Sequence, residues 1–236
     1  MKQLSFFAFA ITLLIIAPGC KKVFPDGPAV KEARSVSDFT KIEAAFSGDV
    51  QFVQGATKSV EVEAAQNIQD YILTEVSGNT LILKTKPNIN IKRGSVTIYV
   101  SNPDLVGATL SGSGNISINT DISTSAIDLR VSGSGNISLP KLTATTINAN
   151  ITGSGNISIN GGATQTQEIT ISGNGNYHTN QMQSEQAKVK VTGSGEAKLW
   201  ADDALDIKIS GSGDVWYVGE PTINTSISGS GRVRKM

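Results

Sequence analysis

Leu110-Ser-Gly-Ser-Gly-Asn-Ile-Ser-Ile118 recurs as Val131-Ser-Gly-Ser-Gly-Asn-Ile-Ser-Leu139 and again as Ile151-Thr-Gly-Ser-Gly-Asn-Ile-Ser-Ile159. Weaker copies follow: Ile171-Ser-Gly-Asn-Gly-Asn-Tyr, Val191-Thr-Gly-Ser-Gly-Glu-Ala, Ile209-Ser-Gly-Ser-Gly-Asp-Val and Ile227-Ser-Gly-Ser-Gly-Arg-Val. The starts at 110, 131, 151, 171, 191, 209 and 227 are separated by 21, 20, 20, 20, 18 and 18 residues. A period near twenty is the signature of a solenoid, in which each repeat buries its apolar face only against its neighbours.

Within one copy, Leu129, Val131, Ile137 and Leu139 are apolar at alternating positions, and Ser132, Ser134, Asn136 and Ser138 between them are polar. Period two means strands, so each copy reads as two short strands. Gly133 and Gly135 fall between them on the apolar parity, where a missing side chain lets the backbone turn sharply or approach the adjacent coil. Coils stacked about 4.8 Å apart would pair like column with like, and seven of them would make a rod of roughly 30 Å. The expected fold is all-β: a parallel β-helix with coils of 18–21 residues, right-handed by the crossover rule.

Coil ends expose unpaired edges and need covering. Residues 36–105 can supply an N-terminal cap, being rich in strand-forming stretches without the repeat: Ile42 to Val53, Lys58 to Glu63, Leu81 to Lys84 and Val96 to Val100. Ser77-Gly78-Asn79 reads as a hairpin turn, and Ala64 to Leu73 has room for one helical turn. Residues 106–236 carry the repeats. Near the other end, Arg232, Arg234 and Lys235 discourage end-to-end stacking by like-charge repulsion.

The chain opens with Met1-Lys2-Gln3, then an apolar and small run from Leu4 to Ala17, then Pro18-Gly19-Cys20. One basic residue, a short h-region and a small residue before the cut make a secretory signal, residues 1–19, too short for a spanning helix. Cys20 is the sole cysteine, which excludes an intramolecular disulfide. Its position resembles the lipobox of bacterial lipoproteins, in which that cysteine is acylated, although Ala17 and Pro18 depart from the usual pattern. The resemblance implies a membrane partner through a lipid anchor at Cys20. Residues 20–35, with two prolines, a glycine and mixed charges, read as a tether.

Twenty basic residues balance twenty acidic ones, which leaves no basic footprint for nucleic acid. The lipobox, the strand-rich opening and the repeated Gly-Ser-Gly-Asn-Ile together resemble the auto-transporter adhesin, head GIN domain family of Bacteroidetes-type lipoproteins, over about Val36 to Met236. The resemblance implies a β-helix and an outer-membrane, cell-envelope location, with adhesion to a glycan or a protein as the function. Glu196, Asp214 and Arg232 replace asparagine in the later copies, so no ligand-binding role is carried over to that column. Lys21 and Lys22 do not look like the acidic export signal of surface lipoproteins in Bacteroidetes, which favours a periplasm-facing scaffold as the alternative. Neither the face of the membrane nor the oligomeric state follows from the sequence.

Phosphate-binding Gly-x-Gly loops need a following helix, and here a strand follows each copy. Calcium β-rolls need a nine-residue period with carboxylates in every copy. His178 is the only histidine, so multi-histidine metal sites are excluded, and no metal or other cofactor is expected. A carbohydrate-active β-helix enzyme is a further alternative, and it requires clustered acids and bases in one groove. Asp202, Asp203 and Asp206 cluster, but on the loop between coils. No catalytic residue is assigned.

Two columns remain. Asn115, Asn136, Asn156 and Asn176 would stack as an amide ladder along the rod, a structural role. Two residues further on, the outward column runs Ser117, Ser138, Ser158, His178, Lys198, Trp216 and Arg234, turning from small to bulky and basic. With Trp200 beside Trp216, the residues His178, Lys198, Trp200, Trp216 and Arg234 form a candidate surface-binding patch, since exposed aromatics beside cations stack on sugars or engage proteins. The simpler alternative is that Lys198 and Arg234 flank Trp216 in cation–π contacts that shield the last coils.

Overall fold

The structure is a computed structural model that describes residues 20–236; the signal segment, residues 1–19, lies outside the described residues. Each repeat makes one long strand and one short strand. The long strands Ile122–Gly133, Leu142–Gly153, Gly162–Gly173, Gln183–Gly193, Ala204–Gly211 and Thr222–Gly229 stack side by side in one sheet. The short strands Asn115–Ile118, Asn136–Leu139, Asn156–Ile159, Asn176–Thr179, Glu196–Trp200, Asp214–Val218 and Arg232–Lys235 stack in the other. Neighbouring coils pair in parallel and in register, Val131 against Ile151, Ile137 against Ile157, Gly133 against Gly153. The molecule is a β-solenoid, as the period requires.

The core follows from the alternation. Leu129, Val131, Ile137 and Leu139 are buried, and their counterparts in the coils above and below join them in one continuous apolar column. The glycine corner is needed for both anticipated reasons. Gly153 sits at φ +114°, and a Cβ there would lie 2.6 Å from the carbonyl oxygen of Gly133. At Gly155 a Cβ would lie 2.2 Å from the Gly135 oxygen and 2.5 Å from Val131 Cγ1.

Three features differ from the expectations. First, the longer strand of a copy is not short: it spans 12 residues in Ile122–Gly133 and bends inside. Pairing passes from Thr124–Ala144 to Ala126–Thr146 without Ser125. The inward set correspondingly shifts parity, from Leu142 and Ala144 to Ile147, Ala149 and Ile151. One unpaired residue resets a period-two pattern. The arm before this bend is missing from the strand Ala204–Gly211, which starts opposite Gln186, and the spacing accordingly falls to 18 residues.

Second, the N-terminal region is more than a cap. Lys41–Ala45 and Asp49–Gln54 stack in parallel register beneath Gly107–Leu110 and Asn115–Ile118, with Val50 under Ile116 and Asp49 under Asn115. Ser47-Gly48-Asp49-Val50 is a degenerate repeat corner, with Phe46 in place of the first glycine. Beyond it the geometry turns antiparallel: Ile72–Ser77 pairs with Thr80–Thr85 across Gly78 at φ +60°, and Ser59–Ala65 covers Thr97–Asn102. The helical turn is Gln66–Gln69. Its Ile68 plugs the end of the core, while the buried Gln69 amide donates to the carbonyls of Val30, Val62 and Ala64.

Third, residues 20–35 are docked rather than a free tether. Lys21–Val23 pairs in parallel with Ile89–Ile91, and Ala29–Ala33 pairs antiparallel with Ser59–Ala65. The reason is the exposed edge of Ser59–Ala65, which another strand satisfies. Val23 inserts into the core and Lys31 lies 3.7 Å from Glu63.

Candidate functional site

The outward face of the short-strand sheet carries both columns. Asn176 donates its side-chain amide to Asn156 at 2.8 Å, Asn156 to Asn136 at 2.7 Å, Asn136 to Asn115 at 2.8 Å, and Asn115 to the Asp49 carboxylate at 2.8 Å. At the other end the Asn176 carbonyl accepts the Glu196 backbone N–H at 3.3 Å. The amides are thus committed to one another, and their half-buried row forms a regular, uncharged floor.

Beside it, Ser117, Ser138, Ser158, His178, Lys198, Trp216 and Arg234 face one another in unbroken register. The candidate patch falls along the coils distal to the cap, but its members choose distinct partners. Glu196 receives Lys198 at 2.7 Å and His178 at 3.1 Å. Partial burial acts to raise the Glu196 pKa, but the hydrogen bonds and charges of Lys198 and His178 outweigh it and hold the carboxyl below its ordinary value. Arg234 lies over the Trp216 ring at 5.2 Å. Trp200 Nε1 donates to Asp202 at 2.7 Å, and its strand position is diagonal to Trp216, since Trp200 pairs with Val218 and Trp216 with Lys198. The Lys198 ammonium is held by Glu196 rather than by the indole, so cation–π shielding of Trp216 comes from Arg234. Trp216 is half-buried, and its Nε1 is buried without a hydrogen-bond partner.

The strand under Trp200 is pinned from inside. Gln167, fully buried, donates to Ser184 Oγ at 2.7 Å and to the Trp200 carbonyl at 3.0 Å, and accepts from Tyr177 at 3.0 Å and Thr179 at 3.3 Å. Burial pushes the Tyr177 hydroxyl pKa well above its usual value, so it stays a neutral donor. This network was not foreseen, although Gln167 interrupts a column of Ile127, Ile147 and Ala187. At the cap end, Lys31 lies 3.9 Å above the Tyr99 ring, a second cation–aromatic pair on the same face.

The acidic trio is dispersed. Asp202 is engaged by the Trp200 indole, whereas Asp206 faces outward on the other sheet opposite Lys188. Among the described residues no group of three His, Cys, Asp or Glu side chains could hold a metal, and no helix is long and apolar enough to cross a membrane. Cys20 is exposed and lines a cavity of about 380 Å³ with Phe46, Ile89, Ile91 and Val96. A second hollow of about 360 Å³ lies on the long-strand sheet above Gly107, between Lys41, Glu43 and the Asp128–Arg130 ion pair.

The stacked coils, with a hydrogen-bonded amide row along the outward short-strand face, define a β-solenoid repeat protein. The chain belongs to the family described as putative auto-transporter adhesin, head GIN domain, whose pattern matches residues 38–221. Its structure is similar to that of a putative adhesin from Bacteroides fragilis, at 24% identity and TM-score 0.85, over 91% of this chain and 100% of that one. It is also similar to a putative lipid binding protein from Parabacteroides distasonis, at 25% identity and TM-score 0.77, over 92% and 100% of the two chains. A putative adhesin from the same species matches at 26% identity and TM-score 0.75, with the same coverage. No curated protein matches the chain. The adhesin-type family and the solenoid fold favour a non-enzymatic role.

Proposed function

We propose that this chain is a lipid-anchored adhesive module of the bacterial cell envelope, non-catalytic, with its binding surface at the Trp216 end of the outer face. Removal of residues 1–19 and acylation of Cys20 give location. The solenoid gives rigidity, because every coil is hydrogen-bonded to its neighbours along both sheets. The single observation that carries the proposal is the change along one register column, from Ser117, Ser138 and Ser158 to His178, Lys198, Trp216 and Arg234. A glycan suits it best: sugar rings stack on indoles and their hydroxyls bond to adjacent charged groups.

Binding of the purified protein to a glycan array tests this directly. Retained ligands that drop by about tenfold or more in Trp216→Ala, which removes a central aromatic contact, support the assignment. Ligands bound equally well by Trp216→Ala and Trp200→Ala overturn it. The periplasm-facing scaffold is the second reading, favoured by Lys21 and Lys22 after Cys20 and by the engagement of Arg234 and Asp202 with the two indoles.

A further inference from the structure

The strand after Cys20 is fastened to the body at once. Lys21 N donates to the Asn88 carbonyl at 2.8 Å, Lys92 N donates to the Val23 carbonyl at 2.8 Å, and Lys21–Val23 runs parallel to Ile89–Ile91. Only one peptide, about 3.8 Å between Cα atoms, separates Cys20 from this zipper. If acyl chains sit on Cys20, the folded end that carries the zipper has no slack and rests in the headgroup layer.

That end is suited to it. Lys21, Lys22, Lys86, Lys92 and Arg93 are all exposed, and among the described residues none of the five forms a salt bridge with a carboxylate. Lys21 and Lys86 converge on one ring, 5.3 Å and 6.0 Å from the Tyr71 centroid, and the Lys21 ammonium donates to the Tyr71 hydroxyl at 3.0 Å. Phe24, 54% exposed, follows on the same segment, an apolar ring beside cations as at membrane interfaces. Asp26 and Asp70 are exposed nearby and leave the cluster net positive. A chain of zero formal charge has therefore gathered unpaired cations around its anchor point.

We infer that this cap end is a docking surface for anionic phospholipid headgroups, with Phe24 entering the interface. The inference rests on acylation of Cys20 for its biological setting and on the cap geometry for its chemistry. Seven strand steps separate Thr97–Asn102 from Asp214–Val218, about 34 Å at ~4.8 Å per step. Docking by the cap end therefore holds the Trp216 surface out from the bilayer.

The test uses residues 20–236 carrying Cys20→Ser, so that no acyl chain contributes. Co-sedimentation with vesicles of phosphatidylglycerol and phosphatidylcholine is compared with phosphatidylcholine alone. Partition is expected to be more than about tenfold higher on the anionic vesicles and to fall with added salt. The combined variant Lys21→Gln, Lys22→Gln, Lys86→Gln, Lys92→Gln, Arg93→Gln is expected to lose that preference while keeping its circular dichroism and melting temperature. The control Lys190→Gln, Lys208→Gln, on the long-strand face, keeps the preference. Equal partition onto both vesicles, or a preference that survives in the folded five-site variant, overturns the inference and leaves acylation at Cys20 untouched. Absence of fatty-acid labelling at Cys20 in cells overturns the anchor and leaves the vesicle result standing.

Discussion

Asn115 donates its side-chain amide to the Asp49 carboxylate at 2.8 Å, so the asparagine ladder ends on a group that accepts and has nothing left to donate. Each asparagine passes one N–H to the coil before it, and the ladder needs a terminal acceptor. Asp49→Ala leaves the Asn115 amide unpaired in a half-buried row and is expected to cost about 1–2 kcal/mol. Asp49→Asn restores an acceptor and is expected to cost less than half of that. Urea unfolding midpoints of the two variants check the order; equal midpoints would show that the terminus is not needed.

The glycine corner gives a sharper contrast. Gly155→Ala places a Cβ 2.2 Å from a backbone oxygen, which nothing but backbone movement relieves, and a loss of about 3 kcal/mol is expected. Ser154→Ala, one residue away and exposed, is expected to stay within about 0.5 kcal/mol. Thermal melts of the pair decide it.

Tyr177→Phe removes the hydroxyl that donates to Gln167 at 3.0 Å in a fully buried network. A destabilisation of about 1–2 kcal/mol is expected, with the loss smaller in a Gln167→Leu background because the acceptor is then gone. A double-mutant cycle by denaturant unfolding measures the coupling.

Much of this was legible in the sequence. The near-identical copies fix both the strand columns and their register, and Gly133 and Gly135 mark the corner because no other residue fits there. The coil formed by Lys41–Ala45 and Asp49–Gln54 was hidden, because Phe46 replaces a glycine and residues 55–106 intervene before the next copy. The bend at Ser125 was hidden for another reason: one unpaired residue changes the parity without changing the period. At the candidate site, spacing places His178, Lys198, Trp216 and Arg234 in one column. It does not say that Glu196 takes Lys198 and His178 while Arg234 takes Trp216, since those choices depend on side-chain reach across coils. The docking of Lys21–Val23 was masked by prolines and mixed charge, which also suit a linker.

Glu196 provides a pH signature. Its folded pKa lies below the ordinary value of 4.5, so its contribution to stability is fully present above that value and is lost as pH falls through the folded pKa. The side chain is 30% exposed, and the effect is small after solvent screening. Melting temperatures of wild type and Glu196→Gln are expected to converge as pH is lowered below 4.5 and to separate above it; a constant difference across that range would contradict the assignment.

The central claim, a lipid-anchored adhesive module of the cell envelope, requires its Trp216 end to be reachable from outside the cell, and is tested most directly by protease accessibility on intact cells, beside lysed cells and a Cys20→Ala strain. Digestion on intact cells, with release of the Cys20→Ala protein into the soluble fraction, is the predicted result. Protection on intact cells with digestion after lysis, or unchanged membrane retention of Cys20→Ala, would contradict it.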